Sequence, residues 1–445
     1  MPRQETLHLH PHGWETDPEE ERFKVSTLDY LTGLTYCNFA LFFEITDSDK
    51  PHIIEILKSG LERTLSQARH LCGTIEKDAA GGHSFVKKRE STVRFIIQWL
   101  DSPEDSSKYP SFNDLASQNF CSTALTDHSE WSVPPMTYGE KPEAHPDSSP
   151  IVAAYKANFI RGGLVFIMAH HHYADDVMGW AGLAHQLAEN CFAIVHGTPF
   201  PEWDPSCLDV SRLTKPIPPA KLQVEGRAPP ERHPDHIDAE MLLFHLPKSK
   251  AAQLKTLATP PDGTRISTYD AFSAFLWRTL TRLRAPFFKT DLSTPLFWAE
   301  AVDMRRRMHS PPVHPRIQQN VMSASLSTLA PVTPPTAGDV IADWPLWRLA
   351  LYIRGMTNCV TQEALDETLS GIAGIRDKTV MNIRIDSFPP CSILQTDHRS
   401  IWRGGGEEGP EFSISYEVVL KDGLLGDEEW NGFFEYRGVD AVDAS

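Results

Sequence analysis

No disulfide framework is written into this chain. Its seven cysteines (Cys37, Cys72, Cys121, Cys191, Cys207, Cys359 and Cys391) are scattered, odd in number and never spaced as C-x-x-C. That pattern reads as free thiols in a reducing cytosol and removes the common zinc and redox motifs. Positive charge is scarce as well. With 42 Lys and Arg against 59 Asp and Glu, the net charge is −17, which argues against nucleic acid and anionic membrane surfaces as partners. No aliphatic run is long enough to span a bilayer. The N-terminal stretch carries no apolar core of a secretion signal, so a cytosolic location is expected. No internal repeat is visible. What the chain does have is length: 445 residues, 41% of them hydrophobic, which allows two or three domains around a sizeable core.

The stretch that organises the rest is Gly163–Trp180, GLVFIMAHHHYADDVMGW. It reads as an apolar strand ending in three histidines, then an acidic turn, then a helix. Two His-x-x-x-Asp frames overlap, His171/Asp175 and His172/Asp176, and no other histidine has an aspartate four residues on. With nineteen histidines, about one such spacing is expected by chance, so the context must carry the reading. Strand alternation puts Leu164, Phe166, Met168, His170 and His172 on one face and Val165, Ile167, Ala169 and His171 on the other. The His172/Asp176 frame is preferred because it sets Gly179 three residues after the aspartate. That places Asp176 at a helix N-terminus, where a carboxylate accepts backbone N–H bonds.

Elsewhere, residues 1–24 are polar and read as an irregular arm. Asn38–Ile45 and Val93–Leu100 read as strands, and Pro51–Leu71 as an amphipathic helix. Residues 101–150 are rich in Ser, Pro and acidic residues and read as mostly loop. Ile151–Asn158 and Leu164–His172 form a hairpin across Arg161-Gly162-Gly163. Residues 198–238, rich in proline, read as a linker. After it come a strand Ala239–Leu246, a helix led by Lys248 and Lys250, and a strongly patterned helix behind Ser267-Thr268. A strand Pro295–Val302 then runs into Asp303–Arg307 (DMRRR). Trp347–Asp377 reads as helical, Ser392–Thr396 and Glu411–Leu420 as strands, Gly404–Gly406 as a turn, and Asp427–Tyr436 as a short terminal helix.

In these blocks the chain resembles the BAHD-type acyl-CoA-dependent acyltransferases, and within them the fungal branch of trichothecene 3-O-acetyltransferases. The likeness rests on Asn158–Trp180, STYDAFSAFLWRTLTRLR (Ser267–Arg284), AVDMRRRM with the following PPV (Ala301–Val313), Asn320, and LLGDEEWNGFFEYRG (Leu424–Gly438). It implies an α/β fold of two chloramphenicol-acetyltransferase-like domains, mixed sheets flanked by helices, with a channel between them. The boundaries expected are 1–197 and 239–445, joined by 198–238. It implies His172 as general base and Asp176 as its structural partner, tied to Arg305 or Arg307, with Gly179 supporting the turn. It also implies coenzyme A contacts near Lys248, Lys250 and Thr268, acyl-CoA as co-substrate with no permanent cofactor, and a monomer whose second substrate is a small-molecule acceptor. Two departures stand out. Val177 replaces the usual glycine after the aspartate, and the C-terminal DFGWG block is absent, its place taken by Ile401–Gly406.

The chemistry expected is acyl transfer to a hydroxyl or amine of a natural-product-like molecule. His172 would take the proton from the acceptor and return it to the departing thiolate. Asn320 and the pair Ser323/Ser325 are candidate oxyanion or channel residues by position. Only His170 and His172 could converge on a metal, no distant ligand set is evident, and none is expected. Two other readings stay open: the same cleft used for cyclisation, dehydration or isomerisation, and a non-catalytic binding scaffold.

Overall fold

The computed structural model describes residues 2–442 apart from 80, 140, 216–227, 229, 330–332, 382 and 398–408. The first half runs β1 (Arg3–Leu9), β2 (Glu20–Lys24), β3 (Tyr36–Glu44), α1 (Lys50–Gln67), β4 (Thr74–Lys77), β5 (His83–Lys88) and β6 (Val93–Trp99). It continues through α2 (Phe112–Ser117), α3 (His128–Trp131), β7 (Ala153–Ile160), β8 (Gly163–His171) and α4 (Val177–His196). Its main sheet has the order β1-β6-β7-β8-β3, with only the β6–β7 pair parallel. β7 and β8 are buried throughout, which is why both read as near-continuous apolar runs rather than alternating ones.

Period-two alternation along β8 divides its side chains between two cores. Leu164, Phe166 and Met168 pack with Leu61, Leu65 and Leu183 of α1 and α4. Val165 and Ile167 pack with Leu115 and Trp131 of the 101–150 region, and Ala169 joins Val133 and Met136. Each large side chain buried this way contributes roughly 1.5–3 kcal/mol. The two helices lie close because Gly60 of α1 has no side chain: a Cβ there would stand 2.5 Å from Cys191 Sγ of α4.

The second half runs β9 (Ala239–His245), α5 (Lys248–Leu257), α6 (Thr268–Phe288), β10 (Trp298–Asp303), β11 (Met322–Leu326), α7 (Leu346–Cys359) and α8 (Gln362–Ala373). It ends with β12 (Ile393–Gln395), β13 (Glu411–Glu417), α9 (Lys421–Leu425), α10 (Glu428–Asn431) and β14 (Glu435–Val442). Its strands form two three-stranded sheets, β11-β10-β12 and β13-β9-β14. α6 starts cleanly because Ser267 and Asp270 form a capping box. Phe275 and Trp277 of α6 pack in one core with Trp298, Trp430 and Phe434.

Four expectations change. The polar arm at the N-terminus contains β1 and β2, and β1 is an edge strand of the main sheet. Five of its seven residues are exposed, so little apolar surface was needed to make it a strand. The terminal helix shrinks to α10, after which β14 pairs with β9 through two register shifts, an irregularity that hides the strand pattern. The region 101–150 is short helices and turns packed over the outer face of the sheet, with Trp131, Val133 and Met136 buried. The linker, finally, opens as packed structure: Cys207, Val210 and Leu213 are buried, and the latter two join Leu28, Met304, Ile317 and Val321 in a core shared by the two halves. The turn expected at Gly404–Gly406 and the site of the missing DFGWG block at Ile401–Gly406 lie outside the described residues.

Candidate active site

The three histidines at the end of β8 part company. His170 keeps to the α1/α4 side, where its Nδ1 lies 2.7 Å from Asp175 Oδ2 and its Nε2 3.3 Å from the Tyr155 hydroxyl. His171 keeps to the other side, its Nε2 2.8 Å from the Ala144 carbonyl and its Nδ1 accepting from the Tyr173 N–H. Both are fully buried. Desolvation lowers the His171 imidazole to about 4, so that ring is neutral at physiological pH. His172 was expected on the face of His170, but β8 ends at His171, alternation stops, and the ring leaves the core. It is the one member of the triplet with part of its surface open. This separates the two frames: His171 does not touch Asp175 and is packed away from any substrate.

The His172 backbone is pinned from both halves of the chain. Its N–H donates to the Thr35 carbonyl at 2.9 Å, and its carbonyl accepts from Asn320 Nδ2 at 2.8 Å. Its Nδ1 is 3.2 Å from the Asp175 carbonyl oxygen. A carbonyl oxygen only accepts, so Nδ1 is the donor in this contact, and the neutral ring it fits is the one with its lone pair on Nε2.

Asp176 is the N-cap of α4, accepting from the Gly179 N–H at 2.8 Å. Its two oxygens meet Arg305 Nη1 and Nη2 at 3.0 and 2.9 Å, and the Val321 N–H adds a bond of 2.8 Å. Burial alone would raise this carboxyl. The Arg305 guanidinium and the two N–H groups outweigh it and hold the carboxyl below its ordinary range. Arg305 also donates to the Ile317 and Gln319 carbonyls, so its fork ties α4 to the strip 317–321. Gly179 is fixed sterically as well: a Cβ there would stand 3.1 Å from Gln319 O and 3.3 Å from Arg305 Nη2. Arg307, the other candidate partner, points elsewhere. It donates to the Thr357 and Val360 carbonyls at the end of α7.

Three candidate donors are corrected by the structure. Asn320 is fully buried, and its amide nitrogen bonds to Asp29 Oδ1 and the His172 carbonyl, so it braces the histidine and is not free for an oxyanion. Ser323 and Ser325 lie opposite Val302 and Glu300 in the β10–β11 ladder and are buried, whereas Met322, Ala324 and Leu326 are half open. The serines share the face of Glu300, whose carboxylate accepts from Tyr269 of α6 and Thr357 of α7, and that face is packed by helices. Lys248 is exposed and Lys250 half-buried on α5, and Thr268 is the first residue of α6. None of the three bonds to the network around His172.

Residue-pattern reading missed Asp29 and Thr35. Asp29 is fully buried, accepts from Ser26 N at 2.6 Å and from Asn320 N and Nδ2 at 2.9 Å each, and so reaches the same strip as Asp176. By itself the run Ser26-Thr-Leu-Asp29 reads as the cap of a short helix or as a loop, and nothing in it points to the second half of the chain. No group of three or more residues suited to a metal ion occurs among the described residues.

Comparisons with known proteins place the chain among its relatives. Residues 35–191 match the trichothecene 3-O-acetyltransferase-like N-terminal domain. The chain is 61% identical to acetyltransferase FGR3 of Gibberella zeae, over 99% of this chain and 95% of that protein. It is 26% identical to trichothecene 3-O-acetyltransferase TRI101 of Fusarium sporotrichioides, over 91% and 94%. In fold it matches F. graminearum TRI101 complexed with coenzyme A and T-2 mycotoxin, with a TM-score of 0.73 at 19% identity, covering 94% of this chain and all of that one.

Proposed function

The chain belongs to the trichothecene 3-O-acetyltransferase-like acyltransferases, and from that premise we propose that it transfers an acetyl group from acetyl-coenzyme A to a hydroxyl of a small natural product, with His172 as the general base. The observation that carries the reading is the partly exposed His172, its Nδ1–H held by the Asp175 carbonyl and its Nε2 with no hydrogen-bond partner among the described residues.

In the forward step Nε2 accepts the proton of the acceptor hydroxyl as that oxygen bonds to the thioester carbonyl carbon. The carbonyl π pair moves to oxygen and gives a tetrahedral intermediate. Collapse re-forms the carbonyl, breaks the C–S bond, and the sulfur leaves with the proton returned by Nε2. One imidazole that starts neutral serves both steps. Asp176 and Arg305 contribute by holding the turn, and they touch no reacting atom. Acyl-coenzyme A is the co-substrate, a reading supported by the likeness to TRI101 complexed with coenzyme A, and Lys248, Lys250 and Thr268 are the groups proposed to meet it. The protein works as a single chain in the cytosol. No helix among the described residues is long and apolar enough to cross a membrane.

The test is a His172→Ala variant assayed for thiol release from acetyl-coenzyme A and for acetylation of a panel of fungal sesquiterpene and polyketide alcohols. A loss of at least about 10³-fold in kcat with unchanged thermal unfolding is expected. Undiminished turnover removes the base assignment. Tight binding of an alcohol without His172-dependent chemistry turns the reading toward a binding protein.

A further inference from the structure

The acidic turn after His172 carries two adjacent aspartates, and only Asp176 belongs to the His172 frame. Asp175 is 2% exposed and faces the other way. Its Oδ2 accepts a hydrogen bond from His170 Nδ1 at 2.7 Å, and His170 Nε2 in turn lies 3.3 Å from the Tyr155 hydroxyl; Tyr155 and His170 are fully buried. Burial pushes the Tyr155 hydroxyl well above its ordinary range, so it keeps its proton. The Asp175 carboxylate accepts from His170 Nδ1–H, and the Tyr155 hydroxyl closes the row at His170 Nε2. This row of three is sealed from solvent and has no substrate to act on.

Its importance lies one bond further along. The main-chain carbonyl of Asp175 is the acceptor that holds Nδ1 of His172 at 3.2 Å. Resting on the reading of His172 as the base, we propose that His170 and Asp175 are positioning residues for it. The Tyr155–His170–Asp175 row clamps the Asp175 peptide to the first half, and the oriented carbonyl then keeps His172 in the Nδ1-protonated tautomer with Nε2 toward the substrate. The two aspartates divide the task. Asp176 ties the turn to Arg305 in the second half, and Asp175 ties it to β7 and β8 in the first. Releasing one anchor leaves the ring attached and turned, and a displacement of about 1 Å at a base costs on the order of 10²-fold in rate.

The experiment compares Asp175→Ala and His170→Phe with the conservative Asp175→Asn and His170→Asn, which keep a hydrogen bond between the two positions. The readouts are His172-dependent thiol release from acetyl-coenzyme A and the ¹⁵N signals of His172 in the full-length, histidine-labelled chain. Expected are a kcat lowered about 10- to 100-fold in the first pair, a KM for acetyl-coenzyme A within about twofold, a mixture of His172 tautomers, and recovery of most of the loss in the second pair. The inference is overturned by folded Asp175→Ala or His170→Phe protein with wild-type kcat and an unchanged His172 tautomer. It is equally overturned by a wild-type His172 protonated on Nε2 at neutral pH, a result that holds even if the alanine variant does not fold. Thiol release that survives His172→Ala instead sinks the proposed function.

Discussion

Two buried carboxylates reach the strip 317–321, and they are compensated in opposite ways. Asp176 meets a cation, Arg305, in a two-pronged contact with two N–H groups beside it. Asp29 meets N–H donors alone, from Ser26 and from Asn320 main chain and side chain. Burial raises both carboxyls. In Asp176 the guanidinium overcomes it and the shift is downward. In Asp29 desolvation wins over the N–H donors, and the carboxyl rises to about 7. Dipoles alone can seat a buried carboxylate, but a full opposite charge is what keeps one ionised.

The sharpest way to break the contrast is Arg305→Leu. It leaves Asp176 buried without its cation, and a loss of about 3–5 kcal/mol is expected from urea midpoints at constant slope. A cost under about 1 kcal/mol would mean the pair is solvated. Asp29→Asn should cost less, about 1–3 kcal/mol, because it unseats N–H donors and no opposite charge.

The pH dependence sharpens the comparison further. Asp29 rises on folding from 3.8 to about 7, so the stability tied to its proton is complete below about pH 4 and lost as pH climbs to about 7. The deficit of Asp29→Asn relative to wild type should therefore narrow over that window, and a flat difference would remove the raised carboxyl. Asp176 has the opposite sign. Its contribution is present above its unfolded value of 3.8 and fades as pH drops through the lower folded value. The smallest effect is expected for Arg307→Gln. It loses two carbonyl bonds at the end of α7 for about 1–2 kcal/mol, and kcat should stay within about twofold, since the side chain does not reach Asp176.

The same contrast marks where sequence reading stops. The cap at Asp176 and the strand end before it were legible because both are local events, encoded within Gly163–Trp180. The partner of Asp176 could be narrowed to two arginines, yet the choice between Arg305 and Arg307 depends on how the turn after β10 is folded, and one residue of register decides it. Asn320 could be singled out but not its task, because its acceptors lie 148 and 291 residues away. Ser323 was misjudged for a related reason: strand alternation shows that one face is buried, but not which face the helices cover. The edge strands β1 and β14 escaped because edges need few apolar residues and tolerate irregular pairing.

The double pinning of His172 makes the ring's alignment depend on both halves at once. Its main-chain N–H belongs to Thr35 of one half and its carbonyl to Asn320 of the other. A movement that parts the halves must release one of these bonds and take the imidazole out of alignment. Parting the halves and misplacing the ring are therefore one event, because the same residue carries both bonds.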